Sequence, residues 1–406
     1  MADQIDVAIV GGGAAGIAAA RHLASLGRSV LIIEALSRLG GRAHSVQLGG
    51  MTLDFGCGWL HSGERNPLAA LAGANGWTID RSDAAWGDQL HDLHITAAAQ
   101  RDAWQAYEGF VHALATNAPQ SDRASDAIPG GDRWRPFIDG LSSFINGVET
   151  DGLSARDFTS YDAAASDNNW RLPGGYGAFI TSLGAGLPIA LDTRVTAITE
   201  DNGVRLDTNR GTLRASAAIV TLSTTVLAQG AIRFAPSADD QLHAAAQLPL
   251  GLANKLFLKM ADPDAVPPES HLLGRFDQAG TGSYYLRPLG RPIVECFVGG
   301  AEARRLEDED ATAFAIEELG GLLGADFAKA LSPLAVTRWG KEPTILGSYS
   351  HALPGQADAR KVLARPVSDH LIFAGEACSP QDFSTAHGAW DSGIAAARWI
   401  DRMLPP

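Results

Sequence analysis

Cysteine is scarce in this chain of 406 residues, which contains only Cys57, Cys296 and Cys378. Their odd number, wide spacing and lack of a Cys-x-x-Cys pair argue against a disulfide framework and a structural zinc site. A chain of this length builds its core without such cross-links. The sequence therefore predicts a protein that binds no metal and resides in a reducing compartment. We expect that compartment to be the cytoplasm.

Positive charge and long apolar runs are also lacking. The net charge is −14, and a chain of that charge repels nucleic acid phosphates. No apolar run is long enough to cross a bilayer. We also expect no signal peptide before the first apolar run. The sequence predicts neither a nucleic acid nor a membrane partner, while a homodimer stays open.

Glycine, by contrast, is abundant, and one cluster follows the first apolar run. Residues 7–10 form that run, residues 11–16 read GGGAAG, residues 14–26 have helical apolar spacing, and a second run, 29–33, ends at Glu34. This order is the strand–turn–helix–strand pattern of dinucleotide-binding proteins, in which the terminal acid accepts hydrogen bonds from ribose hydroxyls. The sequence predicts a Rossmann-type α/β domain.

Each small residue of the turn has its own expected role. Gly11 allows the tight turn, Gly13 lets the backbone approach the pyrophosphate, and Gly16 lets the helix pack on the strand. Ala14 begins the helix, where free N–H groups and the helix dipole favour an anion. The turn alone does not distinguish FAD from NAD.

The segment after Glu34 does make that distinction. Residues 38–42 read RLGGR and complete an EAxxRxGGR pattern. The pattern resembles the FAD-dependent amine oxidase superfamily, which includes monoamine oxidases, polyamine oxidases and histone lysine demethylases. It also occurs in phytoene desaturases and protoporphyrinogen oxidases, so it identifies the cofactor better than the reaction. The resemblance implies FAD, with Arg42 among the residues that hold it.

The resemblance also implies the domain organisation of an amine oxidase fold. An FAD-binding domain built from residues 1–75, 175–245 and 345–406 would be interleaved with an α+β substrate domain of residues 76–174 and 246–344.

Two further segments match the family around the flavin and the adenine. Residues 55–62 (FGCGWLHS) resemble the polyamine oxidase segment that runs beneath the flavin ring. The match implies cofactor contacts for Gly56, Gly58 and Trp59, and Trp59 would also face the substrate. Residues 187–198 resemble the segment whose valine backbone holds the adenine, and the matching position is Val195.

Residues 339–355 (WGKEPTILGSYSHALPG) resemble the polyamine oxidase pattern W…GSYS…PG. The match implies that Trp339 lies beside the flavin and that Tyr349 forms one aromatic wall of the substrate cage. Monoamine oxidases attach their flavin through a cysteine immediately before this tyrosine. Ser348 occupies that position here, so we expect non-covalent FAD.

The last matching segments lie near the end of the chain. By resemblance, Gly375 and Glu376 should reach the ribityl-pyrophosphate region, and the Ala386 N–H should face the flavin N1–C2=O edge. Thr385 occupies the position of the second cage tyrosine of monoamine oxidases. The cage is therefore half-open, which suggests a substrate other than a small arylalkylamine.

Lysine occurs only five times, and two of the five lie in the apolar segment ANKLFLKM, residues 253–260. Strand alternation puts Lys255 and Lys259 on one face, so a half-buried strand with both lysines in solvent is one interpretation. The context Asn254-Lys255-Leu256-Phe257-Leu258 instead resembles the family's NKxxLxF segment. That resemblance implies that Lys255 holds a water against flavin N5, and we expect Lys259 in solvent.

The resemblance implies an enzyme that oxidises a small-molecule amine. Hydride passes from the α-carbon of the amine to flavin N5, the imine hydrolyses to an aldehyde or ketone, and O2 reoxidises the flavin to give hydrogen peroxide. An aromatic, poorly solvated pocket would favour the neutral amine that this step needs. We expect the catalytic residues to be Lys255, Tyr349, Trp59 and Thr385.

Two alternatives stay open: a flavin dehydrogenase or desaturase of a non-amine substrate, and a non-catalytic flavoprotein that binds a partner. Glu64 and Asp88 are candidate anchors for a distal ammonium of a polyamine. Three stretches, residues 83–92, 121–140 and 261–268, are expected to form loops over the site. L-amino-acid oxidases carry an arginine at the position of Trp59, and its absence argues against an amino acid substrate.

Overall fold

The protein is described by a computed structural model that covers residues 5–91, 93 and 95–405. Within these residues the strands are β1 (Ile5–Val10), β2 (Val30–Ile33), β3 (Ser45–Leu48), β4 (Met51–Asp54), β5 (Trp59–Leu60), β6 (Trp170–Arg171), β7 (Ile189–Ala190), β8 (Val195–Glu200), β9 (Val204–Thr208), β10 (Gly211–Val220), β11 (Arg233–Ala235), β12 (Ala253–Met260), β13 (Ser270–Leu273), β14 (Ser283–Leu286), β15 (Ile293–Gly299), β16 (Leu331–Val336) and β17 (Leu371–Phe373). The α-helices are α1 (Ala14–Ser25), α2 (Pro67–Ala74), α3 (Ala97–Thr116), α4 (Arg135–Asn146), α5 (Ala155–Asp162), α6 (Tyr176–Ser182), α7 (Thr224–Ala228), α8 (Asp239–Ala246), α9 (Gly300–Leu306), α10 (Ala311–Leu323), α11 (Ala325–Lys329), α12 (Ala359–Leu363) and α13 (Ala386–Met403).

The predicted nucleotide-binding unit forms the middle of an eight-stranded sheet. The strand order is β11-β8-β9-β10-β1-β2-β7, and β17 pairs with the end of β10. β1 runs parallel to both β2 and β10. Parallel strands of this kind are covered on both faces, which explains why residues 7–10 are all apolar and at most 3% exposed. The Rossmann-type fold class is confirmed.

Helices α1 and α13 pack side by side on one face of this sheet. Ile17 and Leu23 of α1 share a buried core with Trp390 and Ile400 of α13. The backbones approach closely, because a Cβ atom added at Gly393 would lie 2.1 Å from a backbone oxygen of α1. This packing fixes the first turn of α13 near the first turn of α1, where both line the same cavity.

The strand that contains the two lysines, β12, belongs to a second, antiparallel sheet with the order β13-β14-β15-β12-β16. Lys259 is exposed, as expected, whereas Lys255 is only 7% exposed. The interpretation that places both lysines in solvent is therefore wrong for Lys255. The residue limits of the two domains stay a prediction.

Candidate active site

A cavity of about 720 Å³ is lined by residues from both sheets. Every predicted site residue except Gly16 lines it: Gly11, Gly13, Ala14, Glu34, Arg42, Gly56, Gly58, Trp59, Val195, Lys255, Trp339, Tyr349, Gly375, Glu376, Thr385 and Ala386. The fold thus brings together residues that are more than 370 positions apart in the sequence, which no local pattern could establish.

The end of the cavity at α1 fits the pyrophosphate of a dinucleotide. Gly11 has φ +110°, a conformation that L side chains rarely adopt. A Cβ atom at Gly16 would lie 1.9 Å from the carbonyl oxygen of Gly11, so Gly16 serves the packing of helix on turn and does not line the cavity. Gly13 precedes α1, and no side chain caps this helix start. The first turn of α1 therefore presents backbone N–H groups to an anion.

Glu34 lies beside that turn, at the end of β2. Its carboxylate accepts the N–H of Gly12 at 2.6 Å and the N–H of Leu36 at 2.8 Å. Burial raises the pKa of Glu34, although these hydrogen bonds oppose the shift. Each carboxylate oxygen keeps a lone pair, so the group can also accept hydroxyl groups such as those of a ribose.

Arg42 and Glu376 form an ion pair of 2.9 Å in the middle of the cavity wall. Arg42 also donates to the carbonyl of Ser348 at 2.7 Å. Glu376 accepts the hydroxyl of Ser350 at 2.7 Å and the N–H of Ser384 at 2.8 Å. Burial acts to raise the pKa of Glu376, but Arg42, Arg360 and the hydrogen bonds outweigh it and lower the pKa. Glu376 thus stays ionised and joins three separate segments around the predicted ribityl position.

Gly56 and Trp339 form one closely packed surface of the cavity. A Cβ atom at Gly56 would lie 3.3 Å from the Trp339 indole and 1.7 Å from a backbone oxygen, so only glycine fits. The indole N–H donates to the carbonyl of Phe55 at 3.0 Å, and the Trp339 backbone N–H donates to the amide oxygen of Asn254 at 3.0 Å. The indole is held rigidly, which suits a wall against a planar ring.

Lys255 reaches this surface from β12. Its ammonium lies 2.7 Å from the carboxylate of Glu295 and donates to the carbonyl of Asp54 at 3.0 Å. Burial acts to lower the pKa of Lys255, but Glu295, with smaller contributions from Asp54 and Cys57, outweighs it and the pKa is raised. Gly58 leaves space next to the ammonium, because a Cβ atom there would lie 3.2 Å from Nζ. Lys255 is therefore a charged donor that faces the cavity.

Tyr349 and Thr385 line the cavity in different ways. The phenol of Tyr349 donates to the carbonyl of Phe144, which holds its ring in place. The hydroxyl of Thr385 donates to the carbonyl of Asp382 at 2.6 Å and accepts the N–H of Gly388 at 3.0 Å. Thr385 is thus the N-cap of α13, a function that the resemblance did not suggest.

Several aromatic residues that line the cavity were not predicted from the sequence. The Trp59 ring packs against Trp86, with centroids 4.5 Å apart, and against Tyr285 at 6.0 Å. The guanidinium of Arg171 lies 5.0 Å from the Trp59 centroid. Of the three predicted loops, only residues 83–92 contribute to the lining, through Trp86; Asp92 itself lies outside the described residues. The stretches 121–140 and 261–268 do not line the cavity, and α4 begins within the first of them.

The carboxylates proposed from the sequence as ammonium anchors are not the ones in the cavity. Glu64 is exposed, and neither Glu64 nor Asp88 lines the cavity. Asp162 and Asp167 line it instead, as do Tyr107 and Tyr161, although both acids are exposed. Burial and the neighbouring Asp167 raise the pKa of Asp162. Sequence position alone could not show which of these exposed acids border the cavity.

Four arginines line the cavity: Arg42 pairs with Glu376, Arg194 precedes Val195 at the predicted adenine position, and Arg171 and Arg291 are both engaged. Arg171 pairs with Asp80 at 2.6 Å and with Glu269 at 2.9 Å. Arg291 donates to two backbone carbonyls, at 2.7 and 2.9 Å. Neither of these last two guanidinium groups is free to bind a substrate carboxylate, which agrees with the argument against an amino acid substrate.

Glu295 was also missed, although the sequence contains a sign of it. It is the one acid within β15, an otherwise apolar strand, just as Lys255 lies within the apolar β12.

Elsewhere in the cavity, His61 shares a hydrogen bond of 2.7 Å with the amide oxygen of Asn169. Burial lowers the pKa of His61 to about 4, so this ring is neutral near pH 7.

The described residues contain no group of three or more histidine, cysteine or acidic side chains that could hold a metal ion. Across those same residues, no helix has both the length and the apolarity needed to span a membrane.

Solved structures with the same fold are known. The chain superposes on cyclohexylamine oxidase from Brevibacterium oxydans with a TM-score of 0.83, 20% identity, and coverage of 98% of this chain and 99% of that one. A variant of putrescine oxidase gives a TM-score of 0.81, with 18% identity and coverage of 99% of both chains. At this level of identity the likeness concerns the fold alone.

Sequence comparison identifies the family to which the chain belongs. Residues 78–400 match the family model for flavin-containing amine oxidoreductases, and residues 9–73 match a Rossmann-like NAD(P)-binding domain. Polyamine oxidase 2 of Arabidopsis thaliana is 31% identical over 96% of this chain and 87% of that protein. Polyamine oxidase 5 of rice is 30% identical over 98% of this chain and 88% of that protein. The chain therefore belongs to the flavin-containing amine oxidoreductase family and is a flavin-dependent amine oxidase.

Proposed function

We propose that the protein binds FAD non-covalently and uses it, with oxygen as the final acceptor, to oxidise a small-molecule amine. The observation that carries the proposal is the position of Lys255. Its ammonium lines the same cavity as the dinucleotide turn at Gly11 and the aromatic side chains of Trp59 and Tyr349. A desaturase of an apolar substrate has no evident need for a buried ammonium, and a non-catalytic partner-binding protein has no need for a cavity of this size lined by aromatic side chains.

The chemistry that FAD supplies when bound is the acceptance of a hydride from the α-carbon of the amine, with imine hydrolysis and peroxide formation following. The chain's own residues would prepare the amine. Trp59, Tyr285 and Tyr349 offer aromatic faces that attract an arriving ammonium and then exclude water from it. Poor solvation disfavours the charged form, so the amine would lose its proton before it reacts.

The proposed substrates are amines with a second ammonium group, as in polyamines. Asp162 and Asp167 line the cavity, and no lysine, arginine or histidine of the described chain pairs with either of them. Tyr107 and Tyr161 also line the cavity, and Asp162 is near enough to add to the effect of burial in raising the pKa of both phenols. An acid without a cationic partner, next to aromatic faces, suits a distal ammonium. The polyamine oxidases among the relatives support this class.

The test is anaerobic mixing of the purified protein with polyamines, arylalkylamines, cyclic amines and amino acids, with the visible flavin band as readout. We expect polyamines to bleach the band. Bleaching by a different amine class would support the proposed reaction but contradict the proposed substrate class. Bound flavin that no amine bleaches would overturn the proposed function and favour the desaturase-like or the non-catalytic alternative.

A further inference from the structure

Glu295 is the cavity acid closest to the predicted flavin-side lysine. Its carboxylate lies 2.7 Å from Nζ of Lys255, and the two side chains are 25% and 9% exposed. Both residues line the cavity. The ion pair thus lies at the cavity wall, largely shielded from solvent, where the charge of either partner would be costly alone.

The pairing follows from the register of β12 and β15. Lys255 lies opposite Phe297, and Phe257 lies opposite Glu295. Glu295 is therefore two residues from the direct partner of Lys255 and on the same face of the sheet, within reach of a long side chain. A shift of one residue would turn Glu295 to the other face and leave the lysine without a carboxylate.

The ammonium of Lys255 has three N–H donors, and two of them have acceptors. Glu295 accepts one, and the carbonyl of Asp54 accepts another at 3.0 Å. The space next to Nζ is open on the side of Gly58, where a Cβ atom would lie 3.2 Å away. The two acceptors orient the group and leave one donor for the cavity.

Other titratable groups near the ammonium do not replace Glu295. The carboxylate of Asp54 is occupied by the hydroxyl of Ser45 and by the N–H groups at the start of α6. Burial raises the pKa of the Cys57 thiol to about 12, so it stays uncharged. Arg291 faces Glu295 from the same strand region but donates to backbone carbonyls. Glu295 is thus the carboxylate in direct contact with the ammonium, while the more weakly acting charge of Asp54 also helps to raise the pKa of Lys255.

We propose that Glu295 is a positioning residue of the amine oxidase reaction: it keeps Lys255 protonated and directs its remaining N–H into the cavity. The inference rests on the proposed function, in which Lys255 acts beside the flavin. By balancing the lysine charge, Glu295 also lets a substrate ammonium enter a cavity that would otherwise repel it.

The direct test observes the lysine itself. The chain has five lysines, so protein labelled with 13C at lysine Cε gives few signals, and the signal absent from Lys255→Met identifies Lys255. In the parent protein this signal should not titrate below pH 10.5, the ordinary lysine value. In Glu295→Gln its pKa should fall below that of the parent, because the strongest influence opposing burial is lost and only the weaker ones of Asp54 and Cys57 remain. An unchanged titration would overturn the proposal.

The kinetic test compares Glu295→Gln with Glu317→Gln, which removes the same charge from the exposed face of α10 in the same region of the chain. Loss of a hydrogen bond to a charged group should slow anaerobic flavin reduction by about 10- to 100-fold. The loss should grow as pH rises, because Lys255 then deprotonates. Glu317→Gln should match the parent at every pH.

Glu295→Asp covers the case in which the glutamine variant does not fold. It keeps the charge, so the Lys255 signal should titrate as in the parent, and the pH profile should keep its shape although the rate falls. A glutamine variant that is less stable but has parental kinetics and titration would make Glu295 purely structural. If no amine reduces the parent flavin, the proposed function fails, while the 13C titration still decides whether Glu295 holds the charge of Lys255.

Discussion

The guanidinium of Arg360 forms a bidentate ion pair with the carboxylate of Asp157, with nitrogen–oxygen distances of 2.6 and 2.7 Å. Both side chains are 2% exposed. Arg360 belongs to α12 and Asp157 to α5, so the pair joins segments 203 residues apart. The guanidinium also lies 3.5 Å from the ring centroid of Phe383, which lines the cavity. The pair thus packs behind the cavity wall, against Phe383.

Arg360→Met should lower the free energy of unfolding by about 3–5 kcal/mol, because it leaves the Asp157 charge buried and unpaired. Urea denaturation measures this change. The control is Arg156→Met, which breaks the pair with Asp358, whose side chains are 55% and 57% exposed. An exposed pair contributes at most about 1 kcal/mol. Equal losses in both variants would contradict the role of the buried pair.

Gly16→Ala should abolish or strongly weaken flavin binding, because its Cβ atom would lie 1.9 Å from the Gly11 carbonyl oxygen and push the helix from the turn. Flavin content after purification is the measurement. Gly109→Ala is the matched control, since it lies on the exposed side of α3 with no atom within 4 Å of the new Cβ. That variant should bind flavin normally and gain about 0.5–1 kcal/mol of stability.

Lys255→Met should retain bound flavin but slow anaerobic reduction by a polyamine about 10- to 100-fold, the cost of losing a charged hydrogen-bond donor. Stopped-flow absorbance measures the rate. Lys259→Met on the same strand is exposed and should react at the parental rate. Full activity of Lys255→Met would remove the argument against a non-amine substrate.

Acid precipitation should leave a yellow supernatant and a colourless pellet, because the flavin is expected to be non-covalent. The hydroxyl of Ser348 accepts the N–H of Ala253 at 2.8 Å and donates to the carbonyl of the same residue at 2.7 Å. It therefore serves to join β12 to the predicted cage segment. A yellow pellet after washing would show a covalent bond and contradict the expectation.

Stability should fall as pH drops from about 6.5 towards 4. Burial lowers the pKa of His44, His61 and His271 to about 4 and that of His351 to about 3. In the unfolded chain these histidines bind protons at about pH 6.5. Between about pH 6.5 and 4 the unfolded chain therefore holds more protons than the folded chain, and acid favours unfolding. Melting temperatures between pH 7.5 and 5 test this.

The variant His61→Gln should lose part of that acid dependence, while His112→Gln, on the exposed side of α3, should keep all of it. Identical pH profiles for both variants and the parent would assign the acid sensitivity to groups other than this histidine.

The sequence predicted the nucleotide-binding half well because its requirements are local. Gly11 and Gly16 are demanded by a turn and a close contact within six residues, and Glu34 closes the same unit. The resemblance extended these expectations to Trp339 and Glu376. It could not show that the Thr385 hydroxyl caps α13, because capping depends on where the helix begins.

The residues that line the rest of the cavity could not be predicted in the same way. Trp86, Tyr107 and Asp162 come from separate segments, and only packing brings them to one cavity. Glu64 and Asp88 are acids of the same kind, but the fold places neither in the lining.

By itself, the sequence determined the α/β fold class, the flavin cofactor and the lysine that stands out within an apolar strand. Each depends on a short run of residues whose backbone conformation or polarity is specified locally. The tertiary structure alone decided that Glu295 meets Lys255, because that contact requires the register between β12 and β15. It also decided which acids and rings line the cavity, because the walls of a cavity form only when distant segments pack together.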